Sequence, residues 1–353
     1  MKIKINSKYD IIIFGAGITG TYIASLFPTK KILIIEKQKY SYQVSSFLNQ
    51  SHIHQGYAFP NHTDIPEFID LYNSFIKKYS SSIEKKSHLY VLNSESNITE
   101  EEYDSFCQKN ELRIEKTNAN KFFNDDNSIG YVTYEPTLNI EKFKKILFKK
   151  ISPNTTILYE TNIKSYETKG RHYYIQLDDD EKTIIRTPII INATYANTNN
   201  INELFNIPKW DLTFEKIELV LGKSSDWRYE GVTLINKFSL CPFNNYGLHT
   251  VEIINEHECK ENCLDNCQLC EYKPTSKWDN NYLQKYLKDD ITFKYKNSMY
   301  VIKPKIKNVE NIITKVKLEQ NKPCFITAFA GKIHTLYKLN DIIKIVKNLG
   351  LGE

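Results

Sequence analysis

The segment that most restricts the fold is Gly15-Ala16-Gly17-Ile18-Thr19-Gly20, because of what stands on either side of it. Residues 9–14 read YDIIIF, whose β-branched core Ile11-Ile12-Ile13 suits a strand covered on both faces of a parallel sheet. Each glycine then has a task. Gly15 permits the tight turn out of the strand, Gly17 lets the backbone approach a pyrophosphate, and Gly20 lets a helix pack close to the strand. The pattern predicts that helix over 18–27, with small Ala24 facing the sheet and Pro28 ending it. Its first N–H groups and partial positive charge suit phosphate. Residues 31–35 (KILII) predict a second strand. Glu36 stands at its end, where a carboxylate accepts both hydroxyls of an unphosphorylated adenosine ribose. GxGxxG alone is a weak signal. With strand, helix, strand and terminal acid in order, residues 9–36 predict a unit that holds the ADP part of a dinucleotide.

Two observations choose between dinucleotides. The chain beyond Glu36 is not a regular βαβ repeat, and the twelve glycines form no second GxGxxG. FAD is therefore the expected cofactor, and a separate nicotinamide domain is not expected. The length of 353 residues suggests about two domains. The net charge of +5 is spread without a basic block, so nucleic acid is not an expected partner. No run approaches the ~18 apolar residues of a membrane span. The first apolar run leads into the glycine loop and is not a signal core. A cytoplasmic location is the resulting expectation.

The next segment reads Ser45-Ser46-Phe47-Leu48-Asn49-Gln50-Ser51-His52-Ile53-His54-Gln55-Gly56-Tyr57. Here the chain resembles the D-amino-acid-oxidase-like family of FAD oxidoreductases. The pattern Asn49…Ile53-His54-x-Gly56 is most similar to the branch containing L-2-hydroxyglutarate oxidases. The resemblance implies that this stretch runs past the pyrophosphate and along the isoalloxazine ring. Ser46 and Asn49 would then lie near phosphates and ring, and His54 near the reactive face. Later segments continue it in order: Glu135-Pro136-Thr137-Leu138 with a helix over 140–150; a strand over 156–167, implying an adenine contact at Ile163; and PIIINAT at 188–194, implying Asn192 and Ala193 beside the cofactor. Tyr195 comes next, where the family often has glycine. FSLCPF at 238–243 with YGLH at 246–249 resembles a substrate-domain strand pair. FITAFAGKIHTLYKL at 325–339 implies backbone N–H groups of Gly331, Lys332 and Ile333 at the flavin pyrimidine ring.

The implied fold is α/β: a Rossmann-like FAD-binding domain (1–60, 135–205 and 322–353) interleaved with a mixed β-sheet substrate domain (61–134 and 206–321). Within the latter, residues 67–79 predict an amphipathic helix with Phe68, Leu71, Tyr72 and Phe75 on one face. Residues 89–92 predict a strand. Residues 208–330 are aromatic and β-rich, and residues 257–272 form a Cys-rich insertion.

A flavin carries the hydride chemistry, and the protein binds, orients and tunes. His54 is the leading proton acceptor, against a structural histidine or a covalent flavin attachment. His52 shares its face if the segment is extended. Lys332 could stabilise a reduced flavin electrostatically, against a solvated helix-end lysine. His334 lies in the same loop. His249 reads better as a core or surface histidine. Arg171 and Arg228 could clamp a carboxylate, but neither has supporting spacing. Cys259, Cys263, Cys267 and Cys270 could hold zinc or an iron–sulfur cluster. Free or disulfide-paired thiols are the plain alternative. The function implied is removal of a hydride from a CH–NH or CH–OH carbon of a small polar substrate, with oxygen or another acceptor taking the electrons. The alternatives are a flavoenzyme without net redox, such as a sugar mutase, and a non-catalytic FAD-binding protein.

Overall fold

The computed structural model describes residues 7–62, 64–224, 231–235, 238–243, 248–255, 281–307 and 312–350. Two compact units arise from an interleaved chain: residues 1–47, 143–213 and 304–353 form the first, and 48–142 and 214–303 the second.

The first unit is built on a sheet ordered Lys315–Asn321, Cys324–Phe329, Ile189–Asn192, Ile11–Phe14, Ile32–Ile35, Thr156–Leu158. All neighbouring pairs are parallel except the antiparallel hairpin at the Lys315–Asn321 edge. The central strand Ile11–Phe14 is buried at every residue, as its uninterrupted apolar run requires. Helix Ile18–Ser25 comes after it and stops two residues short of the expected 27, before Pro28. A three-stranded antiparallel sheet, Ile163–Lys169, His172–Leu177 and Ile184–Thr187, belongs to the same unit. Tyr173, Ile175 and Ile185 from it join Ile12, Leu33, Ile190, Phe205 and Phe325 in one core.

Residues 156–167 are not the single strand expected. The chain breaks at Glu160, whose φ is +50, into Thr156–Leu158 in the parallel sheet and Ile163–Lys169 in the antiparallel one. Glu160 N–H bonds to the Gln38 carbonyl and Thr161 N–H to the Glu36 carbonyl, which turns the chain at that point.

The second unit carries a sheet ordered Phe293–Ile306, Leu212–Ser224, Leu248–Asn255, Phe238–Phe243, Gly231–Leu234, His88–Leu92, Ile129–Thr133, Glu115–Asn118. Strands Gly231–Leu234 and His88–Leu92 are parallel within an otherwise antiparallel described set. Helix Ile65–Lys78 buries Ile65, Phe68, Tyr72 and Phe75, the stripe read from its periodicity except that Leu71 is half-buried. Residues 48–60 also belong to this unit, whereas the resemblance implies that they go with the glycine loop. Ile53 N–H donates to the Pro136 carbonyl (2.9 Å) and Leu138 N–H to the Ser51 carbonyl (2.7 Å), an antiparallel bridge that sets His52 opposite Thr137 just after a left-handed turn at Ser51 (φ +54). Among the described residues no helix is long and apolar enough to cross a membrane.

Candidate functional site

The first candidate site is the glycine loop of the first unit. Gly15 turns the chain at φ +97, and a Cβ there would stand 2.8 Å from the Ala193 carbonyl oxygen. A Cβ on Gly20 would meet the Gly15 carbonyl oxygen at 1.9 Å, so no larger residue lets the helix seat on its strand. Gly17 is the residue that precedes the helix, in extended backbone. The Glu36 carboxylate reaches the loop from the end of Ile32–Ile35: Ala16 N–H donates to one oxygen (2.7 Å) and Gln38 N–H to the other (2.8 Å). The Ser46 hydroxyl accepts the Ile18 N–H at 3.0 Å, the first N–H of the helix. Loop, acid and serine therefore meet in one polar cradle at a helix N-terminus, the arrangement in which a helix start faces phosphate and a carboxylate accepts ribose hydroxyls.

The other residues carried over for the cofactor divide by their bonds. Asn192 is fully buried, and its amide donates to the Thr198 carbonyl (2.9 Å) and Asn202 Oδ1 (2.8 Å). Its Oδ1 accepts from Thr194 N–H and Oγ1, so the side chain ties a turn together. Ala193 N–H donates to the Phe14 carbonyl. Tyr195, at the place where the family often has glycine, takes φ +58. Ile163 opens its strand and packs against the core. Two of the three N–H groups assigned to a flavin contact are used inside the protein: Gly331 N–H donates to Thr314 Oγ1 (2.9 Å) and Lys332 N–H to the Ile312 carbonyl (2.9 Å). Ile333 starts the 3₁₀ segment Ile333–Asn340, which Lys332 precedes, and His334 is buried within it.

The second candidate site lies in the second unit and converges on Glu135, which is fully buried. His52 Nε2 stands 2.9 Å from Glu135 Oε2, and His54 Nδ1 3.6 Å from the same oxygen. The two histidines, two residues apart, therefore turn toward the same carboxylate oxygen. Tyr90 donates its hydroxyl to Glu135 Oε2 at 2.5 Å, and Gln55 N–H donates to Oε1. Tyr90 Oη is also 3.5 Å from His54 Nδ1. His88 and Tyr90 point the same way from strand His88–Leu92, two residues apart, and the His88 ring stacks on His52 at 4.4 Å. A polar chain continues from His88 through Thr233, Ser239 and Cys241 back to His52 Nδ1, with contacts of 2.8, 2.9, 3.3 and 3.8 Å.

Electrostatics order these groups. Burial opposes the imidazolium of His52, but Glu135, with a further contribution from Cys241, outweighs it and raises the pKa to about 10. Burial opposes the carboxylate of Glu135 too, yet His52 and then His54 hold it well below the ordinary range. Burial, then His52, holds His88 well below the ordinary imidazole range. Burial and Glu135 push Tyr90 far up. The result is a buried imidazolium–carboxylate pair bordered by a neutral tyrosine and a neutral histidine. His54, with 17% of its side chain exposed, is the least buried member of the Glu135 group.

His52, His88 and Cys241 also stand close enough to suggest a metal site. The ring stacking argues against it. A metal lies in the plane of each imidazole it binds, and the His52 and His88 planes are only 28° apart at 4.4 Å.

Sequence reading found His54 and His52 but passed over Glu135, Tyr90 and His88 as chemical groups. The alternation of His88 and Tyr90 with Leu89 and Val91 was the available signal. Glu135 has none, since its partners are distant in sequence. Among the other candidates, Arg171 is exposed in the turn between two strands of the first unit. His249 pairs with Ser224 Oγ (2.9 Å) and is lowered by burial, in keeping with a structural role. Arg228 and the four cysteines Cys259, Cys263, Cys267 and Cys270 lie outside the described residues.

No family model and no curated protein sequence matches the chain. Solved structures do match. NikD, an unusual amino acid oxidase essential for nikkomycin biosynthesis, aligns with a TM-score of 0.72 at 11% identity, covering 97% of this chain and 94% of that one. Glycine oxidase from Geobacillus kaustophilus aligns with a TM-score of 0.71 at 11% identity, covering 97% and 95%. L-α-glycerophosphate oxidase from Mycoplasma pneumoniae, solved with FAD bound, aligns with a TM-score of 0.72 at 14% identity, covering 98% and 95%. The chain has the fold of these D-amino-acid-oxidase-like proteins along nearly its whole length.

Proposed function

We propose that the protein is an FAD-dependent oxidoreductase that oxidises a CH–NH or CH–OH carbon of a small polar substrate. The observation that carries the reading is the cradle of Gly15, Gly17, Gly20, Ser46 and Glu36. It presents a helix N-terminus for phosphate and a carboxylate for ribose, on a chain with the fold of flavin oxidases. Substrates of the similar proteins, amino acids and glycerophosphate by their names, support the substrate class.

FAD bound there supplies a two-electron acceptor for hydride. The chain's own residues do the rest. The glycines and the first turn of helix Ile18–Ser25 receive the pyrophosphate, while Glu36 receives the ribose. His54 takes the proton of the substrate N–H or O–H, so that loss of hydride from the adjacent carbon leaves C=N or C=O. Lys332 is proposed to lend positive charge at the flavin edge. The electrons pass on to oxygen or another small acceptor.

Thermal unfolding with and without added FAD tests the reading. A stabilisation that grows with FAD concentration and disappears in Gly17→Val supports it. No change with FAD, and no flavin in the purified protein, overturns it. For Cys259, Cys263, Cys267 and Cys270 the thiolate metal reading rests on spacing alone. One equivalent of zinc or an iron–sulfur absorbance, lost when all four become serine, is its measure.

A further inference from the structure

The hydroxyl of Tyr90 has one hydrogen, and at 2.5 Å that hydrogen is committed to Glu135 Oε2. The reverse assignment fails, because Glu135 is held ionised by His52 and has no proton to give. Tyr90 Oη and Glu135 Oε2 stand at His54 Nδ1, at 3.5 and 3.6 Å, and toward that nitrogen both can act only as acceptors. His54 Nδ1 is therefore the donor.

We propose that Glu135 and Tyr90 are positioning residues that hold His54 as the Nδ1–H tautomer, with its lone pair on Nε2. The same arrangement favours the imidazolium formed when Nε2 takes a proton, since the Nδ1–H then faces a carboxylate. His52 has a separate part. Its imidazolium balances the Glu135 charge, so the carboxylate stays ionised although it is fully buried. The logic is that of a carboxylate that orients a catalytic imidazole without accepting its proton. Here the orientation passes partly through a tyrosine.

The tautomer is set by geometry within the second unit alone. Only its consequence, a base at Nε2, rests on the oxidoreductase reading. The test keeps the two apart. Long-range ¹H–¹⁵N correlation spectra of the ¹⁵N-labelled full chain, recorded through a pH titration, report which ring nitrogen of each histidine carries hydrogen. His54 is identified by the signal missing in His54→Gln. The expected result is a neutral His54 protonated at Nδ1 and pyridine-like at Nε2, becoming a mixture of tautomers in Tyr90→Phe and Glu135→Gln. A wild-type His54 protonated at Nε2 overturns the proposal, as does a tautomer that both variants leave unchanged. The wild-type spectrum decides even if a variant fails to fold. With a substrate in hand, Tyr90→Phe is expected to lower kcat about 10- to 100-fold with little change in KM. Loss of FAD binding together with an intact Nδ1–H tautomer would instead sink the oxidoreductase reading and leave this one standing.

Discussion

Glu135→Gln exposes how the buried pair contributes to stability. The side chain stays the same size, and the charge opposite His52 disappears. Removing one partner of a buried ion pair costs about 3–5 kcal/mol. The rise of His52 from 6.5 to about 10 gives the same order, about 5 kcal/mol at about 1.36 kcal/mol per tenfold in proton affinity. The sign with pH comes from linkage. The folded pKa of His52 is above its unfolded value, so the folded state binds the extra proton. Its contribution is full below about pH 6.5 and is lost as pH rises through about 10. Urea unfolding of both proteins at several pH values measures this. The stability gap between wild type and Glu135→Gln should have its full width below about pH 6.5 and narrow steadily toward pH 10. A gap that is absent, or that stays constant across that window, refutes the assignment of a protonated His52 against an ionised Glu135.

Gly20→Ala should lower stability by about 3 kcal/mol or more, because its Cβ meets backbone at 1.9 Å and neither strand nor helix can yield; thermal unfolding reads it. Glu36→Ala should weaken FAD about 10- to 100-fold by fluorescence titration, through loss of charge-assisted bonds to the ribose and of the tie to Ala16. Thr99→Ala should cost about 1 kcal/mol in urea without altering flavin content. It removes the capping box in which Thr99 Oγ1 accepts Glu102 N–H and Glu102 answers to Thr99 N–H.

The parallel core was readable because local signals coincide there. Strand, loop, helix and acid in residues 9–36 are neighbours in sequence as well as in space, and the short apolar run leads directly into the glycine loop. The break at Glu160 was not readable, since a non-glycine residue at φ +50 leaves no mark in a polar stretch. The backbone bonds that consume Gly331 and Lys332 N–H depend on Thr314 and Ile312, which no spacing rule ties to that loop. The Glu135 group shows the same limit. His52 and His54 stand out by alternation, but their partners arrive from two strands and a turn, 36 and more residues away.

The central claim is a bound flavin that the substrate reduces. Spectra of the purified protein under anaerobic conditions, with amines, amino acids and hydroxy acids added in turn, test it most directly. The prediction is a visible flavin band that bleaches with one of these classes and returns when air is admitted. A protein that carries no flavin and takes up none would contradict it.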